Sequence, residues 1–215
     1  MTGKLPPSAS VAQALDGAKL NAPAAVRNPD HICDLLKNHA SARGNALELA
    51  SGTGQHVVAF ATTLPNLHWQ PTEVDDERIA SINAYRADAP DARIKPAMRL
   101  DATQRGWHTS VEPQDCVVLI NLLHLISTPA AQTLIIEAIA SLAPKGKFIL
   151  YGPFKRSGVL TSEGDTRFHA QLNGTDPAIG YKNDEDIEAW MRAAGATDVQ
   201  RIEMPANNLA LIAQR

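Results

Sequence analysis

The stretch Ala46–Phe60, ALELASGTGQHVVAF, decides the fold. An apolar run carries a carboxylate, Glu48, near its end. A loop of small residues follows, and an apolar-rich segment begins at Gln55. Read in order these are a strand over 46–50, a loop, and a helix over 55–63. Gly52 and Gly54 lack Cβ atoms, so the backbone can turn sharply and a flat ligand can approach it closely. In open parallel sheets, ligands bind beyond the carboxyl ends of the strands. A loop that holds a pyrophosphate on the helix N-terminus would read G-x-G-x-x-G/A. Here Val57 fills the third small position, and Glu48 would repel two phosphates and attract a cation.

The pattern continues outward on both sides. Upstream, NPDHICDLLKNHA predicts a helix over 28–40, with Asn28 as cap, Pro29 at the first helical position and Ile32, Leu35 and Leu36 on one face. Downstream, strands are expected over 67–74, 93–98, 116–121 and 146–152, and helices over 76–87, 129–142 and 184–194. The run CVVLIN at Cys116–Asn121 has the continuous apolar character of a strand buried on both faces. Two closing strands, 199–204 and 209–213, flank PANN and predict an antiparallel hairpin. The alternation implies an α/β domain with a parallel sheet and helices on both faces. Residues 1–26, rich in Ala, Pro and Ser, are expected to form an irregular arm or short helix serving as a lid. The domain proper spans 27–215, with a polar, Gly-containing insert at about 153–183 that suits a substrate loop.

The bulk composition narrows the partners. The chain has 215 residues with a formal charge of −3, so it lacks the basic footprint of a nucleic-acid binder. Its apolar runs are strand-sized, well short of the ~20 residues that span a bilayer. Prolines stand where a signal peptide needs an apolar core, and a cytoplasmic protein is expected, monomeric or homodimeric, with no membrane partner. Cys33 and Cys116 are far apart and belong to no CxxC, which gives no support to a disulfide framework or a metal site.

Glu48 points to a cationic ligand carrying a nucleoside, and S-adenosylmethionine fits: it combines a sulfonium, an ammonium, a ribose and an adenine. The loop would approach its methionine part and Glu48 would hold the ammonium. Ribose calls for an acid at the end of the second strand. Glu73 lies nineteen residues after Gly54, near the usual offset, and Asp75 competes with it. Val74 would pack on the adenine face, and Asp101 in RLDAT would accept from adenine N6. At the fourth strand end, NLLHL offers Asn121 to the methionine part of the cofactor. It also offers His124, either as a general base or as a packing residue. Tyr151, at the fifth strand end, is a second candidate to bond the acceptor or to fill the core. Asn207 and Asn208 either line the pocket or only make the turn. His56 packs near the cofactor or within the helix. Lys155, Arg156, Arg167 and His169 in the insert hint at an anionic substrate.

These residues, with further matching pieces, resemble the class I, Rossmann-like S-adenosylmethionine-dependent methyltransferases, and more closely the DUF938 or methyltransferase-like protein 26 family. The resemblance rests on RN at Arg27–Asn28, LELASGTGQH at Leu47–His56, WQPTEVD at Trp69–Asp75, NLLHL at Asn121–Leu125, YGPF at Tyr151–Phe154 and MPANNL at Met204–Leu209. It implies a seven-stranded, mostly parallel sheet with a reversed last strand. It implies transfer of a methyl group by in-line displacement to an O, S or N nucleophile, leaving S-adenosylhomocysteine. It extends the cofactor site to Arg27 and Asn28 as part of a lid, to Ala50 and Ser51 in the loop, and to Ala102 beside Asp101. It places Leu122 and Phe154 on the acceptor side. One general glycine of the loop is Ala50 here, and Glu73 stands where aspartate is commoner. The rival readings are a non-catalytic cofactor-binding scaffold and a nicotinamide oxidoreductase, which Val57 and Glu48 oppose.

Overall fold

In a computed structural model the chain is described at residues 5, 6, 9–23, 25 and 29–215. Two short strands, β1 (Gln13–Asp16) and β2 (Lys19–Asn21), pair as an antiparallel hairpin. The remaining strands are β3 (Gly44–Leu49), β4 (Leu67–Glu73), β5 (Met98–Arg99), β6 (Gln114–Ile120), β7 (Leu142–Pro153), β8 (Asp198–Glu203) and β9 (Asn208–Gln214). They form one seven-stranded sheet in the order β5-β4-β3-β6-β7-β9-β8. Pairings from β5 through β7 are parallel, and β9 runs antiparallel to both β7 and β8. The sheet is therefore the one the sequence implied, with the final strand reversed.

The pleat sorts the apolar runs onto two faces. Leu47, Leu49, Val117, Leu119, Phe148 and Leu150 face α4 (Thr128–Ala140) and α6 (Asp184–Ala193). Ala46, Cys116, Val118, Ile149 and Tyr151 face α1 (Pro29–His39), α2 (Gln55–Thr63) and α3 (Asp76–Ala87). Helices thus cover both faces, which is why the central strands are apolar throughout. Ser127 caps α4 and Asp75 caps α3, each accepting from an amide three residues on. Among the described residues, no helix is long and apolar enough to cross a membrane.

Three segments differ from expectation. The arm holds a hairpin that turns at Gly17–Ala18, where Gly17 takes φ +55°, and beyond it Pro23 and Ala25 are helical, as the expected short helix would be. The strand expected over 93–98 shrinks to Met98–Arg99, with only one bridge, Ile94 to Trp69, before it. Pro96 has no amide to give to a ladder. The insert contains a full helix, α5 (Glu163–Thr175), begun by the cap Ser162.

A third apolar cluster joins the arm to the insert. Leu5 and Ala9 meet Leu125, Leu160, Phe168, Leu172, Ile179 and Tyr181. The hairpin itself is tied to the helices: Leu20 N donates to Ser81 Oγ at 2.9 Å, Tyr85 OH to Leu20 O at 3.1 Å, and Ala22 N to Gln55 Oε1 at 2.8 Å. Arm, insert and strand ends together enclose a cleft.

Candidate functional site

The cleft has a volume of about 640 Å³ and opens over the carboxyl ends of β3, β4 and β6. Its base is the loop after β3. Ser51 N donates to Thr72 O at 2.8 Å, Thr72 N to Ser51 Oγ at 3.1 Å, and Thr72 Oγ1 to Glu48 O at 2.9 Å, which ties the loop to β4. Ala50 holds φ +51° and Gly52 φ +60°, so the loop keeps its left-handed turn even where alanine replaces glycine. Gly54 has another duty. A Cβ there would lie 2.7 Å from Ile82 Cα, so the glycine lets the start of α2 press against α3.

Glu48 is 1% exposed, and its Oε2 has no hydrogen-bond partner among the described residues. Burial pushes its carboxyl up to about 8, a hydroxyl bond from Ser51 opposes the shift, and nearby Glu73 adds to it. A buried acid with an unfilled oxygen fits an ammonium or other cationic donor, which would supply both the missing bond and the missing charge. Glu73 sits one strand over, 5% exposed. Its Oε2 accepts from the amides of Val74 at 2.5 Å and Asp75 at 3.3 Å, and its Oε1 lies 3.6 Å from Arg78 Nη1. Arg78 Nη2 in turn donates to Ser10 of the arm, at 2.9 Å to O and 2.7 Å to Oγ. Asp75 is spent on capping α3, accepting from Arg78 N at 3.0 Å. Of the two competing acids, Glu73 is the buried one.

Asp101 and Ala102 line a small crevice that shares Ala50, Glu73, Val74 and Leu122 with the main cleft. Burial opposes the charge on Asp101. Bonds from the hydroxyl of Thr103 at 2.6 Å and its amide at 3.0 Å outweigh that and hold the carboxyl below its ordinary value. Asn121 lines the cleft at φ +56°, in the left-handed region that asparagine tolerates. His56 lines it too, stacked on Phe60 at 5.5 Å; burial lowers its ring to about 4.

At the other end stand His124, Leu125, Phe168, Tyr181 and Asp165, with Pro153, Ala206 and Asn208 nearby. Burial, with Lys182 close by, lowers His124 to about 3, so the ring is neutral at physiological pH and weakly basic. Tyr181 OH donates to Asp165 Oδ1 at 3.0 Å, and its phenol is pushed up by burial and by that carboxylate.

One cleft thus gathers Glu48, Ala50, Ser51, Gly52, His56, Glu73, Val74, Asn121, Leu122, His124 and Asn208. Gly54, Tyr151, Phe154 and Asn207 do not line it. Tyr151 and Phe154 are 1% and 2% exposed and fill the cores on opposite faces of the sheet. Asn207 is a turn residue at φ +59°, and its Nδ2 lies 3.4 Å from Asp165 Oδ2. Arg27 and Asn28 lie outside the described residues. The basic residues of the insert are absent from the cleft as well. Arg156 is held by Glu203, and Arg167 pairs with Glu163 in solvent. The hint of an anionic substrate loses its basis. Sequence reasoning missed Arg78, Asp165, Phe168, Tyr181 and the arm residues Ser10 and Val11. The available signal was Ser162-x-x-Asp165, a helix-start spacing. Among the described residues no group of three or more His, Cys, Asp and Glu is placed to hold a metal ion.

Comparison with known proteins places this architecture. The profile of the family described as "Protein of unknown function (DUF938)" matches residues 19–215. The fold is similar to that of an O-methyltransferase family protein from Burkholderia thailandensis, at 19% identity and TM-score 0.74, over 89% of this chain and 57% of that one. It is similar to a protein described as a putative O-methyltransferase from Nostoc punctiforme PCC 73102, at 18% identity and TM-score 0.74, over 87% and 55%. Human N-acetylserotonin methyltransferase, solved in complex with S-adenosylmethionine, matches at 12% identity and TM-score 0.73, over 88% and 52%. The chain spans little more than half the length of these proteins. Their likeness shows a Rossmann-like methyltransferase fold.

Proposed function

The chain belongs to the DUF938 family, and from that premise and the cleft we propose that it is an S-adenosylmethionine-dependent methyltransferase acting on a small-molecule acceptor. One observation carries the reading: the buried, unfilled Oε2 of Glu48, at the strand end beside a left-handed loop. Glu48 holds the ammonium, Glu73 the ribose hydroxyls, Val74 an adenine face and Asp101 the adenine amino group. The bound cofactor supplies a methyl group on a sulfonium. The protein's own work is to orient an acceptor against it and to exclude water. His124 shapes the acceptor end as a neutral ring.

The test is calorimetric titration with S-adenosylmethionine, S-adenosylhomocysteine and NAD. Both adenosyl ligands bind and NAD does not. At pH 6 to 7 apo Glu48 carries a proton that a bound ammonium displaces. Binding therefore releases up to one proton, read from the heat in buffers of different ionisation enthalpy, and affinity rises by up to about tenfold per pH unit. Glu48→Gln removes the proton release. Glu73→Ala weakens binding by about tenfold or more. No adenosyl binding, or binding indifferent to both substitutions, would sink the proposal.

A further inference from the structure

Resting on that methyltransferase reading, we infer that the end of the cleft away from Glu73 is an acceptor subsite for an aromatic ring bearing a hydroxyl or amino group and no negative charge, with Asp165 accepting that group's hydrogen bond. Three rings wall this end. His124 meets Phe168 edge-on at 5.7 Å and Tyr181 at 6.0 Å, and Phe168 meets Tyr181 at 6.3 Å. Such rings offer faces and edges to a further ring, at centroid distances of the same order.

Asp165 supplies the polarity. It is 9% exposed and lines the cleft. Its Oδ2 accepts from Thr161 Oγ1 at 3.0 Å and Ser162 Oγ at 2.7 Å, with Asn207 Nδ2 at 3.4 Å. Its Oδ1 accepts from Tyr181 OH alone among the described residues, whereas a carboxylate oxygen takes two donors. Tyr181 therefore aims Asp165 and leaves one acceptor position for a ligand. Among the described residues no lysine or arginine lines this end. Lys182, the nearest buried cation, spends its Nζ on the carbonyls of Ile126 at 2.7 Å and Gly180 at 2.9 Å. An acceptor carrying a carboxylate would face Asp165 with no cation among the described lining residues of this end to pair with it, in a site where burial magnifies the repulsion.

The experiment uses three matched probes, 4-ethylphenol, 4-ethylaniline and 4-ethylbenzoate, titrated by ligand-detected NMR into the full chain saturated with S-adenosylhomocysteine. The phenol and the aniline bind, and the benzoate binds at least about tenfold more weakly. Asp165→Asn keeps the shape, lowers affinity for the first two about tenfold and narrows the gap to the benzoate. Phe168→Ala, distant from the Ser162 cap, lowers affinity for all three rings and covers the case in which Asp165→Asn fails to fold. Equal binding of the benzoate, or a preference untouched by both substitutions, overturns the subsite and leaves the methyltransferase reading standing. Absence of S-adenosylhomocysteine binding overturns the methyltransferase reading and the subsite with it.

Discussion

Gly52 and Gly54 stand two residues apart and do unlike work. Gly52 turns the loop at the cleft, and a Cβ there would meet only Arg78 Nη1, at 3.9 Å. Gly54 lies against the backbone of α3. Gly54→Ala must push Ile82 Cα aside and hold alanine at φ +93°. Overpacking and the left-handed penalty together cost about 3 kcal/mol, measurable as a shift of the urea midpoint. A variant as stable as the parent would show that α2 and α3 can part freely. Glu48 and Glu73 were legible because parallel-sheet logic places strand-end acids without any knowledge of their contacts. The preference for Glu73 over Asp75 was not. It depends on which acid caps α3, a matter of side-chain geometry. His124 was legible by position but not by basicity, since its surroundings come from the distant residues Phe168, Tyr181 and Lys182.

At the scale of elements, buried strands and amphipathic helices were readable from apolar runs and spacing, and their predicted ends fall within a few residues of those observed. The two elements that escaped share a cause. The hairpin β1–β2 is exposed or half-exposed throughout, so it has no apolar alternation, and only Asp16–Gly17 announces it. α5 buries only Asp165 and Leu172 and contains Gly164, Asn173 and Gly174, so no apolar stripe marks it. What holds such elements is specific polar contact. Gln55 is one tether of the arm: its Oε1 accepts from Ala22 N, and its Nε2 donates to Asn21 Oδ1 at 3.0 Å. Gln55→Ala removes both bonds. The amides of Leu20 and Ala22 then exchange with solvent about tenfold faster or more, while amides of β6 keep their protection. Unchanged exchange at Ala22 would mean that the bonds with Ser81, Tyr85 and Arg78, together with the third apolar cluster, hold the arm without Gln55.

The whole molecule carries opposed titrations. Glu48 keeps its proton to about 8 in the fold, whereas a free glutamate loses it near 4.5. The folded state then holds more protons than the unfolded one, so this group destabilises the apo protein progressively from pH 4.5 to 8, by about 1.4 kcal/mol per unit. His56 and His124, lowered to about 4 and about 3, act the other way. Below pH 6.5 the unfolded chain takes up their protons first, so stability falls as the solution is acidified; His39 and His169 shift in the same direction. The apo protein is most stable near pH 6.5, and chemical denaturation across pH 5 to 8 reads the profile. Glu48→Gln abolishes the decline above pH 6.5 and comes within about 1 kcal/mol of the parent near pH 5. Saturating S-adenosylhomocysteine also flattens that decline, because a paired Glu48 is already ionised. A parent whose stability is level from pH 6.5 to 8 would show that Glu48 is charged in the empty cleft.

The contact at Gly54 also has an evolutionary reading. The obstructing atom is the Cα of Ile82, which every amino acid possesses, so no change of side chain at 82 makes room. In a saturation library selected for folding alone, position 54 returns glycine whatever stands at 82. Position 52 admits asparagine and aspartate, which tolerate its φ of +60°. Drift along this loop is therefore free at the glycine that faces the cleft and closed at the one that faces inward.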